Sequence, residues 1–171
     1  MIFPFRLPCI VKEDKKMYTA MLAFTIPDTR HFMALLLKGD AFDDFAFRQG
    51  EISAFAYVSI DGKRDLDYYD ETVTEPWCSW SEIKPLVFQA VKGKKTPKNM
   101  KLVLSLSQEK TASFPNTKAL FWNLLFREDT LLCTLSAAQE SFSLDKTHEA
   151  QWESWVLDFC QSHGIAIQKE N

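Results

Sequence analysis

Apolar residues recur at every second position in several stretches of the chain, which is the spacing of a half-buried β-strand. This pattern covers residues 51–60 and 100–106, and a short apolar run at residues 21–26 predicts a further strand. Residues 118–126 and 130–137 predict a hairpin. Because the apolar residues of segment 118–126 occupy both faces, that segment is either a central strand or a helix.

Two helices are predicted by apolar residues at helical spacing between residues that favour helix ends. Asp28 is expected to cap the first, and Gly39 is expected to take a left-handed conformation at its end. The last helix is the clearest: Asp145 is its expected cap, and Gly164 follows its apolar stripe.

A third helix is predicted over residues 81–92 and should end at Gly93. Two residues compete for its N-terminal cap. Ser79 with Glu82 would form a capping box, but it would place Pro85 beyond the first turn, where its missing N–H is unfavourable. We therefore expect the helix to begin at Ser81.

The dipeptide Asp61-Gly62 follows the alternating segment 51–60 and predicts a hairpin turn. A two-residue loop would bury the carboxylates that follow, at a large desolvation cost. A turn with Gly62 as a bulge residue shifts the register by one, so that Leu66 and Tyr68 face the apolar side. We expect the bulged turn, which places four residues on the opposite face: Phe55, Tyr57, Asp65 and Asp67.

These elements predict one α+β domain, mainly an antiparallel sheet of about five to seven strands with about three packed helices. A chain of 171 residues is the size of one domain. Residues 1–20 are interpreted as an N-terminal arm and residues 21–171 as the domain.

Composition narrows the classes of function. The net charge of −3 argues against global attraction to nucleic acid or anionic lipid. None of the four cysteines has C-x-x-C spacing, so no zinc or redox motif is indicated. No segment approaches the roughly 20 apolar residues of a membrane span, and the basic residues near the N-terminus follow the apolar ones, unlike a signal peptide. We expect a soluble, cytoplasmic protein with no membrane contact.

Four short motifs together resemble a family of small bacterial proteins catalogued as a domain of unknown function. They are Phe42-Asp43-Asp44-Phe45, Ile60-Asp61-Gly62-Lys63, Trp80 with Ile83-Lys84-Pro85, and Lys92-Gly93-Lys94-Lys95-Thr96-Pro97. The resemblance covers the chain from about Met21 onward. It implies no activity, so no site residue is carried over from it.

Acidic residues suggest one candidate site. Asp43 and Asp44 follow the first helix, and with Asp65 and Asp67 they would form an oxygen-rich site for a cation or for acid–base chemistry. A D-x-D pair without further ligands at fixed spacing is a weak signal, and a solvated strand face is the simpler interpretation. A metal-dependent or acid–base enzyme is therefore kept as an alternative, and whether the protein is an enzyme stays open.

Lysines suggest a second candidate site, in the segment 92–101. Phosphate or nucleic-acid contact is the functional interpretation of Lys92, Lys94, Lys95 and Lys98. The run contains no arginine and no aromatic residue for base stacking, and it lacks the pattern of a phosphate-binding P-loop. A solvated loop is the simpler interpretation, and nucleic acid is disfavoured.

Aromatic residues suggest a third candidate, a surface for a ligand or partner formed by Phe55, Tyr57, Trp77 and Trp80. Core packing at the helix entry is the simpler interpretation of the two tryptophans, because large aromatic side chains are usually mostly buried. We rank this first: a non-catalytic binding or interaction module, with a protein partner or a second copy of the chain as occupant. No catalytic residue and no cofactor is indicated by the sequence.

Overall fold

The computed structural model describes residues 18–170, with side chains from residue 22 onward. The predicted N-terminal arm lies outside the described residues except for its last three, which begin the first strand. The elements are β1 (Tyr18–Thr25), α1 (Thr29–Leu37), β2 (Ala46–Ser53), β3 (Tyr57–Asp61), a 3₁₀ helix (Leu66–Tyr68), α2 (Trp80–Val91), β4 (Asn99–Ser105), α3 (Gln108–Thr111), β5 (Thr117–Arg127), β6 (Thr130–Gln139), α4 (Thr147–Ser162) and β7 (Gln168–Lys169).

The strands form one antiparallel sheet in the order β3-β2-β4-β5-β6-β1-β7. Strand β5 lies at the centre and is buried on both faces, which explains its apolar sequence. Of the two alternatives for residues 118–126, a central strand or a helix, the central strand is confirmed. The predicted β5–β6 hairpin is confirmed; Glu128 and Asp129 form its turn with φ of 52° and 59°. The predicted α+β class is confirmed.

The core lies on the sheet face that α1, α2 and α4 cover. Phe32 of α1, Val87 of α2 and Val156 of α4 are fully buried there. Trp122 of β5 lies among them, with its ring centroid 5.5 Å from that of Phe42. No helix of the described chain is long and apolar enough to cross a membrane.

The prediction of one continuous strand over residues 51–60 with a turn at Gly62 is wrong. The chain turns earlier, at residues 54–56, where the Ala54 N–H donates to the Ala56 carbonyl at 3.1 Å. Gly62 is instead a point of close approach, because a Cβ there would overlap the Phe47 carbonyl. The sequence signal for glycine was real, but its cause is backbone packing rather than a turn.

The residues after Gly62 do not continue the ribbon, so the predicted burial of Leu66 is also wrong. Asp65 caps the 3₁₀ helix by accepting the Asp67 N–H at 3.1 Å. Leu66 is 58% exposed and Tyr68 is 82% exposed. Asp65 and Asp67 thus lie in a polar loop instead of on a strand face with Phe55 and Tyr57.

Three predicted helix ends differ from the structure. The N-cap position of α4 is Lys146 rather than Asp145, although the Asp145 carboxylate accepts the N–H of Thr147, the first residue of the helix, at 3.0 Å. Helix α2 is capped by Ser79, not Ser81, because the Ser79 N–H donates to the Glu82 carboxylate at 2.7 Å and the capping box outweighs the cost of Pro85. Gly39 follows α1 as expected, but the described glycines with positive φ are Gly93 and Gly164 only.

Candidate functional site

The loop between α2 and β4, residues 92–98, lies at the same end of the sheet as the β2–β3 turn. We call it the lysine loop. Antiparallel pairing of β2 with β4 puts Ser53 opposite Asn99. The Lys98 N–H then donates to the Ser53 carbonyl at 2.8 Å, which fastens the loop to the end of β2. Phe55, in the β2–β3 turn, is therefore brought beside lysines far along the chain.

Local sequence explains how the lysine loop leaves the helix. Helix α2 ends at Val91, and the Lys92 N–H still donates to the Phe88 carbonyl at 2.9 Å. Gly93 then takes a φ of +147°, which residues with a side chain rarely adopt. The chain turns away from the helix at this glycine, so the lysines that follow extend into solvent.

The lysine loop lines a first cavity of about 470 Å³. The opposite side of the cavity comes from Ala54 and Phe55 of the β2–β3 turn, with Ala90 at the end of α2. Four lysines contribute to the wall: Lys92, Lys94, Lys95 and Lys98. Among the described residues that line it there is no carboxylate, histidine or cysteine.

The residues that line the first cavity carry a net positive charge. All four lysines are exposed, and none makes an ion pair with another residue between positions 18 and 170. Like charges held on one short loop repel, and an anion bound among them would relieve that repulsion. Phe55 adds an aromatic ring that is 82% exposed at the rim.

A second cavity, of about 420 Å³, lies against the lysine loop and shares five lining residues with the first: Val91, Gly93, Lys94, Lys95 and Thr96. Its remaining walls come from α1 and the strands, including Arg30, Met33 and Phe126. Both cavities are thus built on one loop, but they differ in their other walls.

The predicted aromatic surface is only partly assembled. Phe55 lines the first cavity, and Tyr57 is 56% exposed on the adjacent strand, where partial burial and the Glu51 carboxylate raise the pKa of its phenol. Trp77 is half-buried under the Arg48 guanidinium, 4.2 Å from its ring centroid. Trp80 is fully buried, and its indole N–H donates to a carbonyl of α1 inside the core. The prediction that Trp80 contributes to a partner surface is therefore wrong.

The four candidate aspartates do not come together as ligands. Asp43 pairs with Lys84 at 2.6 Å, and Asp44 lies 4.0 Å from Lys110. Asp65 and Asp67 belong to the 3₁₀ helix. Within residues 18–170, no group of three or more His, Cys, Asp or Glu side chains could hold a metal ion. The metal-dependent alternative therefore has no assembled site in the described chain.

A polar cluster that the sequence did not suggest fastens the loop before α2. Arg64 donates to both carboxylate oxygens of Glu82 at 2.9 Å, to the Tyr69 hydroxyl at 2.8 Å and to the Trp77 carbonyl at 3.2 Å. This bidentate geometry joins residues eighteen apart in sequence, so no local pattern could reveal it. The cluster positions the loop and exposes no reactive group.

The described cysteines are free thiols rather than nucleophiles. Burial raises the pKa of Cys133 and of Cys160 to about 12. Partial burial and the Glu82 carboxylate also raise the pKa of Cys78. All three are therefore protonated at neutral pH, and a thiolate is the reactive form.

The fold and site together define a small α+β domain with a basic cavity built on a loop. The chain belongs to DUF5721, a family of unknown function, and the family model matches residues 35–168. This confirms the resemblance to an uncharacterised domain, and the matched segment includes every residue that lines the first cavity. No curated protein and no solved structure matches the chain.

Proposed function

We propose that this protein is a non-catalytic binding module that holds a small phosphate-bearing ligand with a planar ring, of the nucleotide class, in the first cavity. One observation supports this most directly: four unpaired lysines and one exposed phenylalanine line the same cavity, with no carboxylate among them. This combines the predicted phosphate residues with Phe55, which the sequence assigned to a separate surface.

The phosphate preference follows from the charge of the first cavity. Lysine binds phosphate as a point charge, and a polyphosphate chain can contact several ammonium groups at once. The cavity of about 470 Å³ lies within the usual size range of small-molecule sites. The net charge of the whole chain is −3, so the positive potential is local and suits a small anion better than a long polyanion.

The ring preference follows from Phe55. An aromatic side chain that is 82% exposed loses most of the stabilisation that burial would provide. A planar base stacked on the ring would recover part of it, and stacking tolerates any base. We therefore expect recognition of the phosphates and the ring plane, with little discrimination among bases.

Binding is favoured over catalysis by the lining of the first cavity. Apart from the lysine amines, its described side chains offer only the Thr96 hydroxyl as a polar group, so no carboxylate or imidazole stands ready as a general base. The three free thiols also support the proposal that the protein works in a reducing compartment such as the cytoplasm.

Calorimetric titration tests the proposal with three ligands: ATP, adenosine and pyrophosphate. ATP should bind, and each of the other two should bind roughly tenfold more weakly because it lacks either the phosphates or the ring. The Lys92→Gln/Lys98→Gln variant should lose roughly tenfold or more in ATP affinity.

The control variant Lys118→Gln/Lys169→Gln removes the same charge from exposed residues of β5 and β7, away from the loop, and should bind ATP normally. Phe55→Ala should weaken ATP roughly fivefold or more and leave pyrophosphate unchanged. Equal ATP affinity in the two lysine variants would contradict the proposal. So would binding of a single-stranded oligonucleotide without binding of ATP.

A further inference from the structure

The second cavity combines an apolar interior with a basic rim. Its interior comes from four side chains: Met33, Leu37, Met100 and Phe126. Phe126 and Met100 are at most 6% exposed, so this cavity reaches the edge of the core. A pocket of about 420 Å³ with such a lining would shield much of a small apolar group from water.

The rim carries three cations and one carboxylate. Arg30 of α1 lies at the rim with Lys94 and Lys95, and Asp129 of the β5–β6 turn is the one described acidic residue that lines the cavity. Arg30 is exposed and makes no ion pair within residues 18–170. The rim therefore has a net positive charge and a guanidinium free to form a bidentate contact with an oxyanion.

We infer that the second cavity binds a free amphipathic anion, with its alkyl chain against Met33 and Met100 and its carboxylate at Arg30. The arrangement of an apolar interior beneath a positively charged rim supports this class of ligand. A purely polar anion would leave the apolar interior unfilled, and a neutral alkane would leave the cations unpaired. The unbranched, flexible methionines can adapt to a chain that is also flexible.

This inference does not rest on the nucleotide proposed for the first cavity. The two sites share Lys94 and Lys95 but differ in the residues that decide each ligand. Arg30 and Met33 line only the second cavity, whereas Phe55 and Lys98 line only the first. Each site can therefore be lost without the other.

Methyl NMR of the full-length protein with ¹³C-labelled methionine tests the inference, because Met33 and Met100 report directly from the cavity. Octanoate should shift both methyl signals in a saturable way. Butanoate should bind at least roughly tenfold more weakly because it lacks four methylenes of the chain. Octanol should bind at least roughly threefold more weakly because it lacks the charge.

Arg30→Gln should weaken octanoate at least roughly threefold, and Lys98→Gln should leave it unchanged. The inference is overturned by unshifted Met33 and Met100 signals, by equal affinity for octanoate and butanoate, or by equal affinity for octanoate and octanol. It is also overturned if Arg30→Gln binds octanoate normally. Binding to vesicles of anionic lipid without binding of monomeric octanoate would identify a membrane-contact patch instead and would also overturn it.

Discussion

Substituting Gly62 by alanine should destabilise the protein strongly, because three backbone segments meet at this residue. The Gly62 N–H donates to the Arg48 carbonyl at 2.9 Å, and the Gly62 carbonyl accepts the Cys78 N–H at 2.8 Å. The Phe47 N–H donates to the Cys78 carbonyl at 2.8 Å. A Cβ at Gly62 would overlap the Phe47 carbonyl oxygen and lie 2.7 Å from its carbon.

The size of the effect follows from what must move. The overlap is with backbone, so it can be relieved only by shifting β2 or the segment at Gly62. Forced overpacking of this kind costs about 1–3 kcal/mol, and weakening one of the buried backbone hydrogen bonds adds about 1 kcal/mol. We therefore expect a loss of about 2–4 kcal/mol in the free energy of unfolding, or roughly 4–16 °C in Tm for a chain of this size.

Urea and thermal unfolding followed by circular dichroism measure the loss. Gly50→Ala is the matched control, since its Cβ would meet the ends of two side chains, Leu102 Cδ2 at 2.9 Å and Phe47 Cζ at 3.0 Å. Side-chain ends can shift by a few tenths of an ångström more easily than backbone, so the control should lose less stability.

Gly62→Asn separates the two explanations for this glycine. A left-handed turn residue tolerates asparagine better than alanine, whereas a close backbone approach rejects both side chains. Asparagine should therefore be at least as destabilising as alanine. An unfolding free energy of Gly62→Ala within about 0.5 kcal/mol of wild type would refute the close-approach argument.

Three further predictions concern the polar cluster and the thiols. Arg64→Lys should lower the free energy of unfolding by about 0.5–1.5 kcal/mol in urea denaturation, because lysine cannot form the bidentate contact with Glu82; an unchanged urea midpoint would contradict this. Although partial burial opposes it, hydrogen bonds from Arg64 and Ser79 lower the pKa of Glu82 below its ordinary 4.5. The ionised Glu82 therefore stabilises the fold above pH 4.5, and this stabilisation is lost as the pH falls through the lowered pKa of the folded state. Glu82→Gln should flatten the dependence of the unfolding free energy on pH on the acid side. An unaltered slope would exclude this role. Cys133 and Cys160 are buried, so the folded Cys133→Ala/Cys160→Ala variant should react with a thiol reagent at pH 7 at the same rate and to the same extent as the wild type. A slower or smaller reaction of the variant would show that those two thiols are accessible.

Local patterns predicted those parts of the fold whose energy is decided locally. The β5–β6 hairpin, the Asp28 cap and the apolar stripe of α4 were readable because period, turn residues and capping groups lie within a few positions of one another. Local patterns failed at residues 51–62. Alternation continues there across a real turn, and glycine is required by Phe47, a residue outside the segment.

The same distinction between local and non-local features applies to the candidate site. The sequence by itself predicted a lysine-rich, solvated loop within residues 92–101, but it placed Phe55 inside a strand rather than in a turn. Only the tertiary structure decided that they line one cavity, because the pairing of Ser53 with Asn99 sets the β2–β3 turn beside the lysine loop. The same non-local geometry kept the candidate aspartates apart, since Asp43 is held by Lys84 of α2 while Asp65 caps its own turn. Charge is a property of the residue itself, whereas exposure and convergence depend on strand register and packing, which are properties of the whole sheet.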